Sequence, residues 1–376
     1  MDPFSQALLG ATVAHAACGR KLGMRAAVWG AVAGAFPDID VLFSVFSDEF
    51  SQLQLHRGIT HSLFFGPVVG VLAGWCYWRW QRARGEEVAR ARWMMVFVLA
   101  LLSHPLLDAC TPYGTQLLAP FSDARFAWHA IPIIEPVYTL IVLLGLIVAG
   151  FARSLGWLVS SLTLVLSCQY LAWGWFLNQQ AIATVSAQLK KEGIEISADA
   201  ERVHAFPTLF QMPKRRIVVM TDTEIRVGFI TMQQPCDVAW DIAPRQQHPL
   251  LDQFRNTREA AIFTWFSDDI YSQTMEEIDG AYRVEISDMR YGATANARQG
   301  MWGVRAEYSR EGEIIGPPRH FFQRPDMSFD RMLRVMKAAY PEADSGANAE
   351  ANTDEKASCE QGLVSNTPVQ NEHYQS

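Results

Sequence analysis

The first half of this chain is short of charge. Residues 1–179 hold 11 Lys/Arg and 10 Asp/Glu, whereas residues 180–376 hold 21 and 29, so the net charge of -7 arises in the second half. The six cysteines, Cys18, Cys76, Cys110, Cys168, Cys236 and Cys359, form no Cys-x-x-Cys pair. That spacing argues against a disulfide framework and against a thiolate zinc site. The start, Met1-Asp2-Pro3, has no basic n-region, and His15 interrupts the small-residue run before Cys18. No cleaved signal peptide is expected, and the segment reads as a retained helix. No basic stripe with interleaved aromatics is present, so nucleic acid is not an expected partner. The second half lacks a nucleophile elbow, a phosphate loop and a ligand cluster, which leaves His204, His248 and His320 as isolated, structural histidines.

What the absence of charge leaves is long apolar runs. Residues 63–80, 93–110, 133–152 and 155–177 read as membrane spans, preceded by two shorter apolar pieces, 7–18 and 26–36. Arg79, Arg82, Arg84, Arg90 and Arg92 crowd one loop, Arg20, Lys21 and Arg25 mark an earlier turn, and Arg153 a later one. The positive-inside rule puts all three on the cytoplasmic side.

Three polar islands then fall at the opposite face. They hold Asp38 and Asp40 after Pro37, His56, Arg57 and His61, and His104 and Asp108. Ionisable groups at membrane depth are rare unless they pair, bind an ion or line a wet cavity. His104 and Asp108, four apart, share one helical face. His56 and His61, five apart around Gly58, do not, so His56 is placed in the loop leading into the next span. Imidazole and carboxylate without sulfur suit zinc, manganese or iron, in one to three ions. Paired divalent ions activate water and clamp an in-line displacement, the logic of phosphoester hydrolysis. Arg57 suits a phosphate oxygen. For His15 the spacing leaves two readings open, a buried hydrogen-bonded histidine or a ligand. Glu135 either supports the site or favours a helix N-terminus.

The same blocks, with Thr111-Pro112-Tyr113-Gly114-Thr115 after them, resemble the bacterial family of inner-membrane-associated, predicted metal-dependent hydrolases. The resemblance covers residues 1–180, with a weaker echo at Asp288-Met289-Arg290-Tyr291-Gly292. That family is distantly similar to the zinc-dependent phospholipase C and P1-type nuclease group, helical enzymes with a zinc cluster held by His and Asp. The resemblance implies a ligand role for His104 and Asp108, and adds His15 to the set. No second His-x-x-x-Asp pair follows Asp108.

Beyond residue 179 the pattern changes. An amphipathic helix over 181–192 precedes stretches of period-two alternation at 216–221, 224–231, 282–286 and 302–309, with turns at Asp222-Thr223 and Asp279-Gly280. They predict an antiparallel sheet. A helix is expected over 253–267, its aromatic end (Phe263, Trp265, Phe266) serving as core. The expected architecture is an α-helical polytopic membrane domain (1–179) carrying the metal site, then a soluble α+β domain (180–340) and a disordered tail (341–376).

The leading expectation is a multi-pass protein of the bacterial inner membrane with a periplasmic C-terminal domain. It would hydrolyse a phosphoester, lipid or lipid-linked, with His15, Asp38, Asp40, His56, His61, His104 and Asp108 as ligands and Arg57 catalytic. The competing expectation is a non-enzymatic scaffold with a structural metal, whose C-terminal domain recruits a protein partner. A transporter is disfavoured because no internal repeat is evident.

Overall fold

A computed structural model describes residues 1–194, 203–233 and 237–323. The expected tail, Cys236 and Cys359 lie outside these residues. The first half is helical. Helix α1 (Pro3–Leu22) starts where Asp2 accepts a hydrogen bond from the Ser5 amide and Pro3 takes the first turn. Gly23, at φ 57°, turns the chain into α2 (Met24–Ala35). The two helices touch backbone to backbone, since a Cβ on Gly30 would meet the Gly10 carbonyl oxygen at 2.4 Å and one on Gly34 the Gln6 oxygen at 2.7 Å.

A 3₁₀ stretch (Phe36–Phe46) and the short α3 (Glu49–Leu55) lead to a second 3₁₀ turn, Ile59–His61. Then come α4 (Phe65–Ala83), α5 (Arg90–Ala109), α6 (Pro136–Phe151) and α7 (Gly156–Lys191). Gly66, Gly70 and Gly74 face the α5 residues Leu102, Val98 and Met94, with no room for a Cβ. Small residues at every fourth position allow this close approach of apolar helices.

Where the sequence suggested four spans, two helices, α5 and α7, are long and apolar enough to cross a membrane. A third candidate is α4 joined to residues 49–61 through a bend of 59°. Helix α6 has 16 residues, about 24 Å, short of the ~30 Å apolar core of a bilayer. The separate helix expected over 181–192 is instead the end of α7, kept going because Ala181, Val185 and Leu189 bury one stripe against the β-structure.

The second half forms two four-stranded antiparallel meanders, not one sheet. The first runs β1 (Val203–Thr208), β2 (Gln211–Met220), β3 (Glu224–Thr231) and β4 (Asp241–Pro244). The second runs β5 (Tyr271–Ile278), β6 (Ala281–Asp288), β7 (Trp302–Tyr308) and β8 (Arg319–Phe322). Asp279 and Gly280 both take positive φ, 53° and 81°, closing the tight hairpin the sequence indicated. Between the sheets, the helix expected over 253–267 is broken into α8 (Pro249–Arg255) and α9 (Arg258–Phe266), where Thr257 caps the second. Phe263 and Phe266 are fully buried in the core beneath the second sheet, as expected.

The halves share cores. Leu177 and Val185 of α7 cluster with Val203, Ile217 and Val219, and Phe50 and Leu53 of α3 cluster with Phe254 and Phe263. Buried arginines stitch the seam: Arg215 donates to the Gly174 carbonyl at 2.8 Å, and Arg290 to the Pro112 carbonyl at 3.2 Å.

Candidate metal centre

The fold brings the three polar islands together. Asp38 comes from the 3₁₀ stretch after α2, His61 from the turn before α4, and His104 and Asp108 from the last turns of α5. The Nε2 atoms of His61 and His104 lie 3.0 Å apart. Each is 3.4 Å from Asp38 Oδ1, and they stand 3.4 and 3.5 Å from Asp108 Oδ2. An ion bound tetrahedrally at ~2.05 Å has ligand atoms about 3.3–3.4 Å apart, so these separations match the edges of a first-row metal site.

The proton positions can be deduced. His104 Nδ1 faces the Gly34 carbonyl at 2.6 Å, and a carbonyl only accepts, so Nδ1 carries the hydrogen. Thr60 Oγ1 spends its one proton on Asp40 Oδ2 at 2.9 Å and must therefore accept from His61 Nδ1 at 3.0 Å. In the neutral rings both Nε2 atoms then present lone pairs to each other. A shared proton can relieve that repulsion for the histidine pair alone. A metal ion relieves it and also uses both carboxylates, including Asp108 Oδ2, a buried oxygen that accepts no hydrogen bond and meets Arg57 only as an ion pair.

Asp40 supports this shell. Its Oδ1 accepts from His56 Nδ1 at 3.0 Å, and its Oδ2 from the Arg57 amide at 3.2 Å and from Thr60, with His61 Nδ1 at 3.3 Å. Such carboxylate–imidazole contacts fix the ring and raise ligand basicity. Burial pushes the Asp40 carboxyl up. The hydrogen bonds from His56 and His61 outweigh it and hold the carboxyl well below the usual carboxylate range. Asp38, Asp40 and His56 form a second group with metal-ligand spacing, sharing Asp38, whose Oδ2 is buried and unpartnered.

Of the expected residues, His15 sits away from the cluster and Arg57 sits at it with its guanidinium already engaged. His15 is buried in α1, its Nδ1 2.8 Å from Ser160 Oγ of α7 and its ring against Gly19 and Gly156. It is not among the residues the cluster brings together, and its packing is that of a helix–helix contact. Arg57 is at the cluster but buried and engaged: Nε lies 3.2 Å from Asp108 Oδ2, Nη1 donates to Thr111 Oγ1 at 3.0 Å, and the guanidinium stacks 4.3 Å from the Tyr113 ring. It neutralises Asp108 instead of offering a free cation to a phosphate. The Met1 amine also contacts Asp108 Oδ1, alongside Gln6 Nε2. Glu135 caps α6 by accepting from the Val137 amide at 3.2 Å.

Other contributors were not singled out by the sequence. The Gly34 carbonyl leaves no side-chain signal. Tyr113 lies in a recognised block, and Arg290 reaches its carbonyl at 3.4 Å from the Asp288-x-Arg290 segment while pairing with Asp288 at 2.8 Å. Beside the cluster, a cavity of about 210 Å³ is lined by Asp40, Val41, Glu49, Leu55, His56 and Tyr113, among others.

Residues 1–181, which carry this entire cluster, match the YdjM inner membrane protein family. The helical half is thus similar to that family over nearly its whole length. A relative, the inner membrane protein YbcI of Escherichia coli (strain K12), is 37% identical over 108 residues, 28% of this chain and 60% of that protein. The chain thus spans less than two thirds of the relative's length. No solved structure matches the chain. With the candidate spans, these matches make the protein an inner membrane protein.

Proposed function

We propose that the protein is a membrane-bound metal-dependent hydrolase acting on a phosphoester that carries an apolar tail. The observation that carries the proposal is the set of 3.0–3.5 Å separations among Asp38, His61, His104 and Asp108. In this reading those four side chains hold one divalent ion, most simply zinc, given two imidazoles and two carboxylates. A bound ion supplies Lewis acidity and lowers the pKa of water at the site.

The chain's own residues do the rest. Asp40 holds His61 and His56 in register, and Arg57 balances Asp108 from the far side. His56 lines the cavity with Nδ1 fixed by Asp40, which leaves Nε2 to hold or deliver a proton to a bound substrate. The apolar tail is supported by the cavity's surroundings, where Leu42, Phe46 and Leu55 are 66%, 88% and 53% exposed. The arginine-rich turns lie at the other end of α4 and α5, which under the positive-inside rule supports a periplasmic position for the centre and the C-terminal half.

The test is turnover by purified protein of a micellar phospholipid analogue against a soluble aryl phosphate. Hydrolysis of the micellar ester, lost in His61→Ala and His104→Ala while membrane insertion persists, supports the proposal. Full activity in either variant contradicts it. A second reading rests on the same shell, because four protein ligands form the closed arrangement typical of structural sites. The protein would then be a scaffold whose C-terminal half recruits a partner, and metal binding without turnover of either ester selects it.

A further inference from the structure

The end of α4 remote from the metal centre carries a second constructed feature. From Phe65 to Ala83 the helix rises about 27 Å, so this end lies near the opposite membrane face. Here Trp75, Cys76, Arg79, Trp80 and Arg82 line a groove of about 540 Å³. Arg84 stacks 3.9 Å over the Trp80 ring, and Arg82 lies 5.5 Å from the Trp78 ring. The nearby Glu86 is committed to Arg25 through two bonds of 2.7 Å. Among the described residues, Arg79 and Arg82 form no ion pair, whereas Arg84 lies within electrostatic reach of Glu86, so two exposed guanidinium groups line the groove without a paired carboxylate.

The apolar surface continues from this groove in one direction. Val68, Val71, Leu72 and Trp75 are 70%, 45%, 59% and 40% exposed, and their spacing places them on one helical face. Arg79 and Arg82 extend the same stripe, four and seven residues beyond Trp75. A strip of aliphatic side chains running into an arginine cluster flanked by indole rings has the polarity of a phospholipid: acyl chain, interface, phosphate. Tryptophan belongs at the headgroup level, and basic residues there attract anionic lipids.

We propose that this groove is a specific site for an anionic phospholipid. Arg79 and Arg82 hold the phosphodiester, Trp80 and the stacked Arg84 wall the headgroup, and an acyl chain lies along the Val68–Trp75 stripe. A zwitterionic headgroup brings its own cation to a groove whose two lining arginines have no carboxylate paired with them, so the site discriminates against phosphatidylcholine. The site is independent of the metal centre and of the hydrolase reading.

The experiment is native mass spectrometry of the detergent-purified full chain titrated with phosphatidylglycerol or phosphatidylcholine of matched acyl chains. The expected result is one phosphatidylglycerol retained in preference to phosphatidylcholine. Taking the usual gain per basic residue near an anionic surface, Arg79→Gln with Arg82→Gln weakens it about thirty-fold. Arg310→Gln, in the C-terminal half, leaves it unchanged. Both groove arginines are solvent-exposed, and unchanged thermal unfolding in phosphatidylcholine verifies that the double variant folds. Equal retention of the two lipids, an undiminished affinity in the double variant, or displacement by millimolar inorganic phosphate alone would overturn the proposal, the last by revealing a plain anion site.

Discussion

Replacing Asp40 by asparagine tests whether the shell around the cluster is built as the geometry indicates. The carboxylate accepts from His56, Thr60 and the Arg57 amide, with His61 Nδ1 in reach, at 3.0, 2.9, 3.2 and 3.3 Å. An amide keeps one acceptor oxygen and turns a donor toward the remaining partners. His61 thereby loses the negative charge behind Nδ1 that makes Nε2 a better ligand, while all four proposed ligands stay in place. Loss of such a partner weakens metal binding about 10–100-fold, or roughly 1.4–2.7 kcal/mol. Zinc affinity is measured by competition with a chromophoric chelator on detergent-purified protein, with His104→Ala as the reference that deletes a ligand outright. The expected order is wild type, then Asp40→Asn weaker within that window, then His104→Ala without stoichiometric metal. An Asp40→Asn protein within threefold of wild type would refute the reasoning. So would one as metal-free as His104→Ala, since Asp40 would then be a ligand and not a support.

Three further outcomes follow from the packing. Gly34→Ala drives a methyl into the Gln6 oxygen and Gly10, so overpacking of about 1–3 kcal/mol should lower the unfolding temperature and, by shifting the Gly34 carbonyl from His104, weaken metal binding. Arg290→Ala strands the fully buried Asp288 and frees the Pro112–Tyr113 backbone, which should cost about 3–5 kcal/mol in denaturant unfolding and open the seam to proteolysis. Burial pushes His129 down to about 3 and His204 to about 4. Because their folded pKa values lie below the unfolded one, their neutral forms stabilise the fold fully above pH ~6.5, and that contribution is lost as pH falls toward 4. Unfolding midpoints from pH 7.5 to 4.5, taken on His104→Ala protein so that metal loss does not intervene, should fall, with a shallower fall after His204→Gln.

Much of the candidate metal centre was legible because its residues are polar side chains that stand out in apolar surroundings. Asp38, His61, His104 and Asp108 interrupt hydrophobic runs, and the arginine loops indicated that they face one side. What escaped the sequence depends on the third dimension. The carbonyl of Gly34 orients His104 only because α2, held close to α1 by Gly10, Gly30 and Gly34, also packs against α5. Arg57 read as a phosphate binder because its neighbour Asp108 is 51 positions away. His15 read as a potential ligand because nothing local reveals Ser160 as its partner. In the second half, hairpin turns marked by Asp279-Gly280 were visible, whereas β1, β4, β5 and β8 have weak alternation and are strands because neighbours pair with them. Helix α7 outruns its apolar stretch because the β-structure buries its far end.

The most direct measurement is elemental analysis of the detergent-purified full chain, wild type beside His61→Ala and His104→Ala. The account predicts one tightly held divalent ion per wild-type chain, most simply zinc, and none in either variant, with each variant still inserted and folded. Wild-type protein prepared without chelators that carries no metal, or a His104→Ala protein that keeps a full equivalent, would contradict it.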